Sequence, residues 1–193
     1  MSNGRAPNDD NIMLEACQDL FNRPDWYEGG SEALPEHTDT ASFVLDVRGF
    51  QDPNAGSLRE HWGTHVGILQ GISGNRPVLA GLLRKFIVTA RTVHARMPGQ
   101  LYRVFVLCRG GKHRSVAFAY LLERLLLIDD RHTVLHTIHL RDPKKCTQCK
   151  YCVLCNRDYR NRGRAEALAQ ALPVWMELGG DDLFPDTPAA ARA

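Results

Sequence analysis

The sequence predicts an α/β domain: a parallel or mixed sheet flanked by helices, with a cysteine-rich, metal-knuckle-like insertion near the C-terminus. Three observations carry that prediction. Short β-rich apolar runs alternate with longer runs of helical period, the pattern of strand–helix–strand units. A glycine pair, Gly110-Gly111, separates one such strand from one such helix. The 193 residues are 44% hydrophobic and 24% charged, enough for one buried core with an appendage.

Taken in order, a helix is expected at 11–22, where Ile12, Met13, Ala16, Cys17, Leu20 and Phe21 recur at helical spacing. Ser42–Val47 reads as a strand, and 48–54 as a loop by its Gly, Pro and Asn. The segment 63–75 carries four glycines and is expected to be irregular. Arg76-Pro77 opens a long helix that Pro98-Gly99 ends. Leu101–Leu107 is the next strand, followed by the glycine turn and a helix from Arg114 to about Ile128. Thr133–Leu140 reads as a third strand and 158–172 as a last helix. The organisation expected is an extension over 1–40, a domain over 41–178 with a Cys-rich loop at 144–156, and a flexible tail over 179–193.

A net charge of +2 does not announce a nucleic-acid binder, although eight Lys or Arg residues against two Asp fall within 141–164. No apolar run approaches the roughly 18 residues of a membrane span, and the polar N-terminus lacks a secretory apolar stretch. A cytoplasmic, reducing location is the expectation, with no membrane partner.

The most informative segment is Cys108-Arg109-Gly110-Gly111-Lys112-His113-Arg114-Ser115. A strand, a glycine turn and a helix start leave backbone N–H groups unpaired, and the helix dipole adds positive potential. Lys112, His113 and Arg114 supply donors or charge, so the loop suits an anion, above all a phosphate. A Walker loop is excluded: Val106 stands where its first glycine belongs, and His113 where its Ser or Thr belongs. Asp46 and Arg48 are expected at the rim, since both runs end strands and ligands gather at carboxyl ends of parallel strands.

Two resemblances follow. Cys108, Arg114 five residues on, and Ser115 resemble the phosphate loop of tyrosine and dual-specificity phosphatases, although Leu107 replaces their usual preceding histidine. That likeness implies a Cys108 nucleophile, an Arg114 clamp, Ser115 assisting the leaving thiolate, and Asp46 or Asp52 as general acid. Gly110–Val116, with a cysteine two residues before the glycine pair, resembles the C-terminal domain of the RapZ RNase adaptor family. Asp46-Val47-Arg48 then Asp52-Pro53, Leu58-Arg59, Leu69-Gln70-Gly71 leading to Val78, and His139-Leu140-Arg141-Asp142 resemble further pieces of that domain, over roughly 41–142. This likeness implies a sugar-phosphate-binding α/β architecture, binding of glucosamine-6-phosphate, and participation in small-RNA binding and its presentation to a nuclease. Carried over by position, Gly110, Gly111, Lys112, His113, Arg114 and Ser115 form the phosphate pocket, with Asp46 and Arg48 at its rim. It covers no nucleotide-binding domain, so nucleotide-dependent activity is not implied.

The leading expectation is therefore a sensor or adaptor for a phosphorylated sugar or RNA phosphate, bound by Asp46, Arg48 and the stretch Cys108, Arg109, Gly110, Gly111, Lys112, His113, Arg114 and Ser115. A cysteine-dependent phosphatase is one alternative, and a zinc-stabilised nucleic-acid-binding protein is another.

Cys146, Cys149, Cys152 and Cys155 repeat at three-residue intervals. Without a secretory signal, this spacing points to metal, with zinc favoured over an iron–sulfur cluster. All four cysteines are candidate ligands, and three of them plus His136 or His139 form an equal alternative. His37, His61, His65, His94 and His132 read as surface or ordinary core residues, and Cys17 as a small core residue on a helix. Trp26, Trp62 and Trp175 stand too far apart to suggest a stacking platform.

Overall fold

A computed structural model of the chain describes residues 11–18, 40–52, 58–97, 101–128, 133–139, 152–155 and 157–184. Four strands, β1 (Asn11–Gln18), β2 (Thr40–Asp46), β3 (Leu101–Cys108) and β4 (Thr133–His139), form one sheet in the order β2-β3-β1-β4. Every neighbouring pair is parallel. Four α-helices accompany them: α1 (Val66–Ser73), α2 (Arg76–Arg96), α3 (Arg114–Leu126) and α4 (Arg157–Glu177). The expected α/β class is thus realised with a parallel sheet.

The register explains the core. Ile12 pairs with Tyr102, Leu14 and Phe43 flank Val104, and Leu45 pairs with Val106, so these side chains share one face. Ile12, Leu14, Leu45, Tyr102, Val104 and Val106 are all buried there. Helix α3 lies across β1, β3 and β4, and its Val116, Phe118, Leu121, Leu122 and Leu125 join the same cluster. Helix α2 presents Leu79, Leu83, Phe86, Ile87 and Ala90 at helical spacing, starting from Asn75 as cap and Pro77 in the first turn. Helix α4 packs on α1, α2 and α3.

Two expectations are corrected. The segment 11–18 is a strand at the centre of the sheet, not a helix. Its short apolar run Ile12-Met13-Leu14, followed by Ala16 and Cys17, cannot be told from a buried helix segment by period alone. Cys17 accordingly lies on β1. Residues 66–73 form α1 despite the glycines, because His65 caps the helix and Val66, Ile68, Leu69 and Ile72 are buried. The last helix also runs beyond 172, through Pro173 to Glu177, where buried Val174 and Trp175 hold the extra turn against the core.

Past α4, residues 178–184 remain packed. Arg91 donates to the carbonyls of Gly179, Asp182 and Leu183, while Phe184 stacks on His94 and Tyr102. No described helix is long and apolar enough to cross a membrane.

Candidate anion loop and metal centre

Strand β3 delivers Cys108, and α3 begins six residues later at Arg114. Gly111 makes the bend with φ of 59°, a left-handed conformation that a side chain strains. His113 is the N-cap of α3, yet its side chain makes no capping bond. Among the described residues, none accepts a hydrogen bond from the backbone N–H of Gly110, Gly111, Lys112, Arg114 or Ser115. These donors sit where the helix dipole is positive. Arg109 beside them is exposed.

The other basic side chains face elsewhere. Arg114 is buried, and its Nη1 donates to the carbonyls of Arg48 and Phe50 at 3.0 Å each, while Nη2 donates to Asp52 at 3.1 Å. It ties the loop after β2 to the start of α3. Lys112 donates through Nζ to the Arg59 carbonyl at 2.8 Å and lies 5.7 Å from the centre of the Trp62 ring. At the loop's base, the Cys108 thiol donates to Ser115 Oγ at 3.2 Å, with both residues buried.

Asp46 and Arg48 stand at the carboxyl end of β2, as expected. Arg48 binds both Asp46 carboxylate oxygens, through Nε at 2.9 and 3.0 Å and Nη2 at 2.6 Å. Those bonds hold the Asp46 carboxyl below the usual carboxylate range.

The second constellation differs from the one expected. His61, His65, Cys152 and Cys155 bring one ligand atom each within 4.8 Å of one another, a group that can hold a metal ion. Cys155 Sγ lies 3.5 Å from His61 Nδ1, and Cys152 Sγ lies 3.7 Å from His65 Nε2. Zn–S and Zn–N bonds at tetrahedral angles give an S···N edge of about 3.6 Å, close to these two spacings. His61 and His65, read from sequence as ordinary residues, thus join two of the four cysteines. Cys146 and Cys149 lie outside the described residues, as do the side chains of His136 and His139.

Local structure makes this group. His65 is the N-cap of α1, and its Nδ1 accepts from the Gly67 N–H at 3.1 Å, leaving Nε2 toward Cys152. Ligation through Nε2 places the ring proton on Nδ1 and so exchanges that capping bond for the metal bond. Burial, with His61 as the second cause, lowers the His65 pKa to about 4, and burial also lowers that of His61. Both rings are therefore neutral near pH 7, the form a metal needs. Cys152 and Cys155 flank a single 3-10 turn just before α4. Gly163 of α4 meets α1 so closely that a Cβ there would fall 2.3 Å from Val66 Cγ2. Packing of α1 on α4 thereby brings the two ligand pairs together.

The anion loop and the metal group are neighbours. His113 donates from Nε2 to the His61 carbonyl at 2.8 Å, and the Gly63 N–H donates to the Lys112 carbonyl at 3.0 Å. Burial, then Lys112, lowers the His113 pKa, keeping that ring neutral.

A family model of the RapZ C-terminal domain matches residues 32–142. The chain belongs to the RapZ C-terminal domain family. The matched span holds β2, α1, α2, β3, α3 and β4, with the glycine loop. Strand β1, helix α4, Cys152 and Cys155 lie outside it. No curated protein matches the chain.

The histidine pair had a signal in the sequence. His61-x3-His65 and Cys152-x2-Cys155 are both ordinary zinc-ligand spacings. Their separation along the chain and the more conspicuous cysteine run obscured the pairing.

Proposed function

We propose that this chain is a sensor or adaptor domain that binds a phosphorylated ligand, a sugar phosphate or an RNA phosphate, in the loop from Cys108 to Ser115. The observation that carries the reading is the uncapped start of α3, where backbone N–H groups have no acceptor among the described residues and Gly111 curls the chain around them. Membership of the RapZ C-terminal domain family supports it. Arg109 supplies the exposed charge, while Arg114 holds the 48–52 loop in place as a positioning residue. Asp46 and Arg48, at the adjacent strand end, would meet hydroxyl or amine groups of the ligand. Zinc is the metal we assign to the four-residue group, because two imidazoles and two thiolates at tetrahedral spacing suit it.

Isothermal titration with glucosamine-6-phosphate tests the reading. Saturable binding is expected, weakened about tenfold or more in Arg109→Ala, the loss of one charge-assisted bond. Absence of binding by the wild type sinks it. Salt then separates the ligand classes: an RNA contact weakens steeply with salt, a single sugar phosphate far less.

A thiol phosphatase is the second reading, favoured by Cys108 at the loop's base in contact with Ser115. Against it, three donor positions of Arg114 go to protein oxygens rather than to a ligand. Aryl phosphate hydrolysis that disappears in Cys108→Ser would reverse the order of the two readings.

A further inference from the structure

We propose that the His61, His65, Cys152, Cys155 centre controls the anion affinity of the Cys108–Ser115 loop, so that a zinc ion and a phosphate bind with positive coupling. The inference rests on the loop being a phosphate site, and adds to it an allosteric partner.

The two sites share residues. His61 offers Nδ1 to the centre while its own carbonyl accepts from His113, the cap residue of the anion helix. Lys112 is held at both ends by the same segment, its carbonyl by the Gly63 N–H and its ammonium by the Arg59 carbonyl. Gly63 closes the remaining space. A Cβ at that position would lie 2.3 Å from the His113 carbonyl oxygen and 2.7 Å from the Ala117 nitrogen. Such contact leaves no slack, so a shift of residues 61–65 displaces the first turn of α3 and the N–H groups that face the anion.

The ion decides where 61–65 sits. His61 and His65 precede α1 in a turn, and the cysteines lie 94 and 87 residues further along the chain. Beside the packing of α1 on α4, those halves meet through sulfur–nitrogen contacts of 3.5 and 3.7 Å, which are weak bonds. With the ion bound, four short metal bonds fix the segment. The cysteine half lies beyond the span matched by the family, so this control is an addition to the family's loop.

Coupling of this kind is reciprocal, and about tenfold is a typical size. The test uses the whole chain with cobalt(II) or zinc(II) as metal probe and inorganic phosphate as anion probe. One equivalent of cobalt with tetrahedral ligand-field bands and thiolate charge-transfer absorption is expected. Phosphate should bind about tenfold more weakly to the metal-free protein, and saturating phosphate should tighten cobalt by the same factor. Cys155→His, which keeps four ligands, should retain the effect, and Cys155→Ala should lose it.

Equal phosphate affinity with and without metal overturns the coupling and leaves the phosphate reading standing. Phosphate binding by neither form overturns both. A chain that takes up no cobalt overturns the centre itself. Amide exchange at substoichiometric metal guards against simple unfolding: the bonded amides of His61, Gly63, His65 and Ala117 should lose protection together and before α2. Uniform loss across all helices counts against the proposal.

Discussion

Arg114 shows how a side chain that looks like a ligand clamp in sequence can serve the fold. Its guanidinium reaches two backbone carbonyls and the Asp52 carboxylate, and its side chain is only 7% exposed. Arg114→Ala should therefore cost about 2–4 kcal/mol in urea unfolding, since it leaves buried carbonyls unsatisfied. Arg114→Lys should recover little, because an ammonium cannot span that fork. An alanine variant as stable as the wild type would remove Arg114 from this positioning role. Residue-level legibility followed adjacency. The consecutive run from Cys108 to Ser115 reads as a candidate anion loop because its chemistry lies in one stretch. The metal group was half visible: Cys152 and Cys155 stood out, whereas His61 and His65 acquire meaning only when α1 packs on α4.

At the scale of elements, two glycines carry close approaches that the sequence did not reveal. Gly163 lets α4 lie on α1 with Val66 filling the space its side chain would need. Gly163→Ala should destabilise by about 1–3 kcal/mol through overpacking. Val66→Ala in the same chain should return part of that loss, because it removes the two methyl groups nearest the new Cβ. A double-mutant cycle with no interaction energy would show that the helices meet elsewhere. Gly63→Ala should cost more than Gly163→Ala, since its new Cβ meets backbone rather than a side chain. The strands β2, β3 and β4 and the helices α2 and α3 were legible because each is bounded by Pro, Gly or Asp and carries its own period. Strand β1 was not, since Ile12, Met13, Ala16 and Cys17 fall at positions that a helix would also use, and only the pairing with β3 and β4 makes them a strand. Helix α1 was hidden by the four glycines of 63–75, of which Gly63 serves the close approach of α3 while Gly71 faces open space.

For the molecule as a whole, the sheet order places β3 between β2 and β1, so the anion loop leaves from an interior strand while α3 spans three strands beneath it. That order was beyond the sequence, which offered no way to rank parallel partners once β1 was missed. The same holds for the C-terminal segment, whose residues from Asp181 onward, rich in Asp, Pro and Ala, read as a fraying tail. Its described part, up to Phe184, is packed: Leu183 is fully buried, Phe184 stacks on Tyr102, and Arg91 of α2 grips three carbonyls from Gly179 to Leu183. Ending the chain at Leu178 removes two buried apolar side chains, each contributing about 1.5–3 kcal/mol, and strands a guanidinium beside α2. A loss of about 4 kcal/mol follows, and at roughly 2–4 °C per kcal/mol for a chain of this size the melting temperature should fall by about 8–16 °C. Arg91→Ala in the full chain should reproduce only a part of that fall, because the apolar contacts remain. If calorimetry finds the truncated and full chains melting together, the segment contributes nothing to the core, and the support it gives to α2, and through α4 to the metal-bearing end, must come from the helices alone.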